Sequence, residues 1–129
     1  MELDRIKLLL CELALSHGLT DADLRKYNQV DDDFEWHIDW SRNLTEEFRR
    51  SMQLLEAALD LYDSAMSRGD KLTAKAGLIR AGIRLQTLEN FFASLTHDVK
   101  KAYSETNFNW PDFPSDSWKI PGEYNFKDS

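Results

Sequence analysis

Residues 70–104 read DKLTAKAGLIRAGIRLQTLENFFASLTHDVKKAYS, and their periodicity decides the fold. Leu78, Leu85, Phe92 and Val99 recur every seven residues, and Ala81, Leu88, Leu95 and Ala102 do the same three positions on. Two interleaved heptad rows of this kind mark a long helix with an apolar seam. A further stripe, Leu72, Ala76, Ile79 and Ile83, covers an adjacent face near its start. Asp70 is placed to cap the helix, which spans on the order of 52 Å if it reaches Ser104. Leu85, Leu88, Phe92 and Leu95 are the predicted core of this element. Gly77 and Gly82 each cost a helix about 1 kcal/mol relative to alanine. With Ala74, Ala76 and Ala81 they form a small-residue patch that lets a helix or a bulky ring approach closely.

Working back from Asp70, Ser67-Arg68-Gly69 breaks an earlier helix with the stripe Leu44, Phe48, Met52, Leu55, Leu59, Tyr62 and Met66. Asn43 and Glu46 are a plausible capping pair for its start. A connection this short makes the two helices antiparallel neighbours. Upstream, Leu3, Ile6, Leu9, Leu10 and Leu13 give another helical stripe, ended by Gly18, and Thr20 with Asp23 caps a short successor. The predicted fold is therefore all-α: a small helical bundle on a long antiparallel hairpin, with an aromatic-rich irregular C-terminal tail. The bundle occupies residues 1–104 and the tail residues 105–129.

The tail holds all three prolines and six aromatics, Phe108, Trp110, Phe113, Trp118, Tyr124 and Phe126. Disordered tails are usually poor in aromatics, so this one is expected to wrap over the small-residue patch around Gly77 and Gly82. The alternative is that it docks onto a partner.

Charge is unevenly placed. The chain carries −7 in total, with −6 in residues 1–40, +2 in residues 41–104 and −3 in residues 105–129. The acidic ends would repel nucleic acid, so no direct nucleic-acid contact is expected. They suit either folding back onto the weakly basic middle or meeting a basic partner. Arg80 and Arg84, one helical turn apart, are expected to pair with those acidic ends. One cysteine, Cys11, excludes an internal disulfide and a cysteine-based zinc cage. The first residues carry Glu2 and Asp4 where an export signal has positive charge, and no apolar run approaches the roughly 20 residues of a membrane span. The expectation is a cytoplasmic protein without a membrane segment.

The densest chemistry lies in VDDDFEWHIDW, residues 30–40. Asp31, Asp33, Glu35 and His37 could ligate a metal, but the spacing fits neither a calcium loop nor a histidine-based zinc site. Phe34, Trp36, Ile38 and Trp40 alternate with polar residues, the period of a strand, which would need a partner for its backbone. His17, His37 and His97 are far apart in sequence, and His97 beside Asp98 reads as an ordinary surface pair or as a favourable charge near the helix C-terminus. There is no glycine-rich phosphate loop and no nucleophile elbow. No catalytic residue, metal or cofactor is predicted, and the chain is not expected to be an enzyme.

The motif fits a docking element, with aromatic anchors ringed by carboxylates. Its predicted partner-binding residues are Asp31, Asp32, Asp33, Glu35, Trp36, Asp39 and Trp40. The functional expectation is a non-enzymatic acidic binding protein that inhibits or neutralises a basic protein, such as a nucleic-acid-binding protein or nuclease. Immunity proteins, antitoxins and phage-encoded defence inhibitors, anti-CRISPR proteins among them, are of this type. One alternative is a structural or adaptor subunit that forms a homodimer through the long heptad helix. A helical enzyme or metal-carboxylate protein is the other.

Overall fold

A computed structural model describes residues 2–127. The chain is all-α, apart from one small β-hairpin. Helix α1 (Asp4–Ser16) and the single turn α2 (Asp21–Leu24) are followed by β1 (Tyr27–Asn28) and β2 (Asp33–Phe34). The long helices α3 (Leu44–Ser67) and α4 (Lys71–Ser104) form the antiparallel hairpin, and two 3-10 turns mark the tail.

The local signals act where the sequence puts them. Asn43 Oδ1 accepts from Glu46 N at 3.0 Å, and Asp70 Oδ1 from Thr73 N at 3.0 Å, which starts α3 and α4. Thr20 and Asp23 form a reciprocal capping box. Both α1 and α3 end in the same way. Gly18 (φ 82°) and Gly69 (φ 70°) take the left-handed conformation. The following amides return to carbonyls five residues back, Leu19 N to Ala14 O at 3.0 Å and Asp70 N to Ala65 O at 2.9 Å. These Schellman closures satisfy the last carbonyls and reverse the chain tightly.

The two long helices approach closely through small residues. A Cβ on Gly77 would stand 3.0 Å from Tyr62 N and 3.1 Å from Ala58 O. Ala58 and Ala65 of α3 and Ala74 and Ala81 of α4 are buried in the same seam. The covering of the small-residue patch is thus α3, not the tail. Gly82 has open space where its side chain would be. The approach also selects between the two heptad rows. Ala81, Leu88, Leu95 and Ala102 are buried, whereas Leu85 is 53% and Phe92 42% exposed, contrary to their predicted core positions.

The main core sits at the open end of the hairpin. Leu3, Leu10 and Ala14 of α1, Leu24, Trp36, Ile38 and Phe108 close over Leu44, Leu95 and Ala102. Carboxylates join the pieces. Asp4 Oδ1 accepts from Leu44 N at 2.9 Å, and Asp4 N donates to Thr45 Oγ1 at 3.2 Å, so α1 caps α3. Burial disfavours the charged form of Asp4, but the hydrogen bonds from Leu44 and Thr45 outweigh it and hold its carboxyl below the usual carboxylate value.

Only the start of the tail belongs to this core. Phe108 is buried, and Trp110 Nε1 donates to Ala102 O at 2.7 Å. Residues 111–127 are exposed throughout. They are held by local bonds such as Trp118 N to Ser115 O, with Phe113 and Trp118 rings 5.2 Å apart. The predicted wrapping of the bundle therefore stops at Trp110.

Candidate interaction site

The segment 27–40 divides into an exposed knob and a buried strap. In the knob, Tyr27 pairs with Phe34 and Asn28 with Asp33, antiparallel. Asn28 starts the turn, its Oδ1 accepting from Val30 N at 2.9 Å and Asp31 N at 3.2 Å, a short-range bond that asparagine makes readily. Asp32 takes a left-handed φ of 53°, and its carboxylate accepts from the Tyr27 hydroxyl. That hydrogen bond, reinforced by desolvation and by Asp33, raises the Tyr27 pKa. The Tyr27 and Phe34 rings meet edge to face at 5.2 Å. Val30 at the tip is 94% exposed. The result is a small braced hairpin with apolar Tyr27, Val30 and Phe34 among the carboxylates of Asp31, Asp32 and Asp33.

Beyond Phe34 the chain turns inward. Trp36 and Ile38 are each 5% exposed, and Trp40 is half-buried with Nε1 donating to Leu24 O at 3.2 Å. Trp36 lies near Trp40 and Phe108, with ring centroids 6.5 and 6.4 Å away. The alternation of the motif is kept, and Glu35 N still donates to Lys26 O at 2.9 Å, but among the described residues no strand pairs with residues 36–40. Two of the amides there are taken by a side chain instead. Asp98, fully buried on α4, accepts from His37 N at 2.8 Å and Ile38 N at 2.7 Å. His97 Nδ1 also lies 2.8 Å from Asp98 Oδ1. The His97–Asp98 pair is therefore an anchor for the strap, not a surface pair. The His37 ring stacks on His97 at 3.4 Å, and its Nε2 lies 3.1 Å from Asp33 Oδ2.

The seven predicted partner-binding residues consequently separate. Asp31, Asp32, Asp33 and Asp39 are exposed. Trp36 and Trp40 serve the core of the chain itself. Glu35 is half-buried, 3.4 Å from Lys101 Nζ. That lysine also meets Glu105 at 3.0 Å and lies 5.4 Å from the Trp36 ring centroid. Desolvation opposes its charge, but Glu105 and Glu35 together raise its pKa. Asp39 accepts from the Ser41 hydroxyl and amide, and these bonds lower its pKa. Among the described residues, Asp31 and Asp32 have no cationic side chain within ion-pair distance. The knob's own apolar members, Tyr27, Val30 and Phe34, lie outside the predicted set. Their signal was available: Asn28 followed by a polar turn, bounded by two aromatics, is hairpin chemistry.

Arg80 and Arg84 do not meet the acidic ends; no ion pair involves either of them among the described residues. A cleft of about 330 Å³ lies between the strap and the hairpin, lined by Ile38, Phe91 and Leu95 with Arg42 and Glu47 at its polar side. Arg42 and Glu47 pair with each other at 3.2 Å. Among the described residues no three His, Cys, Asp or Glu side chains converge where a cation could sit. No described helix is long and apolar enough to cross a membrane. Comparison with family models, curated proteins and solved structures found no match.

Proposed function

We propose that this chain is a non-enzymatic acidic binding protein whose knob, residues 27–34, docks on a basic protein partner and neutralises it by covering a cationic surface. The observation that carries this reading is the knob itself. Among the described residues, Asp31 and Asp32 have no cationic side chain within ion-pair distance, and Val30 is almost fully exposed beside two half-exposed rings. The fold buries none of these side chains, yet Asn28 Oδ1, accepting from the Val30 and Asp31 amides, and the Tyr27 hydroxyl, donating to Asp32, hold the turn that carries them in one arrangement. A pre-ordered apolar tip costs little entropy on binding, and the carboxylates around it accelerate encounter with a positive surface. A basic groove that normally holds nucleic acid is the partner chemistry that suits it.

The test begins with recovery of the partner from the native host by affinity capture and mass spectrometry. Binding kinetics then compare the parent with a variant carrying Asp31→Asn, Asp32→Asn and Asp33→Asn. Association should slow in the variant and lose much of its salt dependence, since exposed charges are screened over about 8 Å at physiological salt. Val30→Ala should act mainly on dissociation. Equal kinetics for parent and triple variant, at low and moderate salt, would remove the knob from the interface.

A further inference from the structure

The hairpin beyond the core exposes a continuous apolar strip. On α3, Met52, Leu59 and Met66 repeat every seven residues, and on α4 so do Leu78, Leu85 and Phe92. Each of the six is between 42% and 53% exposed. Both rows lie clockwise, viewed down their own helix, of the seam formed by Ala58 and Ala65 against Gly77, Ala81 and Leu88. For antiparallel helices that places them on one side of the hairpin, where the Phe92 ring lies 5.7 Å from that of Phe48, one turn before Met52.

We infer that this strip is the interface of a two-fold homodimer in which the hairpins of two copies form a four-helix bundle. The first argument is area. The six side chains leave on the order of 600 Å² exposed per chain, or about 1,200 Å² for two copies, which reaches the range of specific interfaces. The second is charge. Along the outer edge of the α3 row stand Arg49, Glu56, Asp60 and Asp63; along that of the α4 row stand Lys71, Lys75 and Glu89. Gly77 lies level with residues 58–62 and Phe92 with Phe48, so Asp63 is level with Lys75 and Arg49 with Glu89. A two-fold axis parallel to the helices sets α3 of one copy against α4 of the other. Both of those levels then oppose unlike charges, while Glu56, Asp60 and Lys71 fall level with the uncharged Gly82, Leu78 and Ser67. A two-fold across the helices, centred on Leu59, would instead face Glu56, Asp60 and Asp63 with their own copies. Charge therefore selects the first arrangement.

Sedimentation equilibrium of the full chain over a dilution series tests this. The expected result is a concentration-dependent dimer. Leu85→Glu and Leu59→Glu, each at a half-exposed position, should weaken it by roughly a hundredfold, because each variant buries two carboxylates. Circular dichroism should show unchanged helix content. Asp63→Lys should also weaken the dimer, and adding Lys75→Asp should restore it. A full chain that stays monomeric at every concentration overturns the proposal, as does a Leu85→Glu variant that associates like the parent. Should truncation after Trp110 turn a monomeric chain into a dimer, the occupant of the strip is the chain's own aromatic tail.

Discussion

Replacing Asp98 is predicted to detach the strap that carries Trp36 and Ile38 into the core. Its carboxylate is fully buried and receives two backbone amides 60 positions or more away in sequence, at 2.8 and 2.7 Å. Hydrogen bonds to a charged group contribute about 1.5–3 kcal/mol each, and an amide left buried without a partner costs its desolvation as well. Asp98→Ala should therefore lower stability by about 3–5 kcal/mol. Asp98→Asn keeps one acceptor but turns an NH2 toward the second amide, so about 2 kcal/mol is expected. Urea unfolding, followed by tryptophan fluorescence and by far-UV circular dichroism, measures both. Hydrogen exchange separates global from local loss. If only the strap opens, the amides of His37 and Ile38 lose protection while those of α3 and α4 keep theirs. Variants that both stay within about 0.5 kcal/mol of the parent, with these two amides still protected, would refute the assignment of Asp98 as the anchor.

The two helical glycines should respond in opposite directions. Gly77→Ala drives a Cβ against the backbone of α3 and should cost about 1–3 kcal/mol, whereas Gly82→Ala meets open space and should stabilise by about 0.5–1 kcal/mol; denaturant midpoints check both. In the tail, Phe108→Ala should cost about 3–5 kcal/mol because that ring is in the core, while truncation after Trp110 should change the unfolding free energy by no more than about 0.5 kcal/mol. Stability should also fall in acid. Asp4, Asp23, Asp39 and Asp70 all have lowered carboxyl pKa values in the folded chain. Their contribution is fully present above the unfolded value of about 4 and is lost as pH falls through the folded values. Thermal melts between pH 6 and pH 2 read this, and Asp4→Asn should flatten the dependence at the α1–α3 joint.

What the sequence by itself determined is everything set by neighbours within a turn or two. Asn43, Asp70 and Thr20 accept from amides three residues on, and Gly18 and Gly69 close the helix ends, so the boundaries of α3 and α4 and their antiparallel sense follow from local bonding. The exposed carboxylates of the knob were legible for the same reason, since Asp31 and Asp32 fall in a turn and Asp33 directly follows it. The tertiary structure decided which of two apolar faces turns inward. Leu78, Leu85 and Phe92 are as apolar as Leu88 and Leu95, and periodicity cannot rank them. The choice falls to Gly77 and Ala58, whose lack of bulk lets the helix axes approach on that side and leaves the larger row outside. Distance in sequence hid the rest. Asp98 is one residue from His97, but its essential partners are the amides of His37 and Ile38, and no local pattern can encode a bond that exists only once strap and helix have met. The same meeting buries Trp36 and leaves Phe34 outside on Tyr27, although both lie on one face of the alternating motif. Burial there is a property of where the chain bends after β2, and the bend is held by a carboxylate from another element.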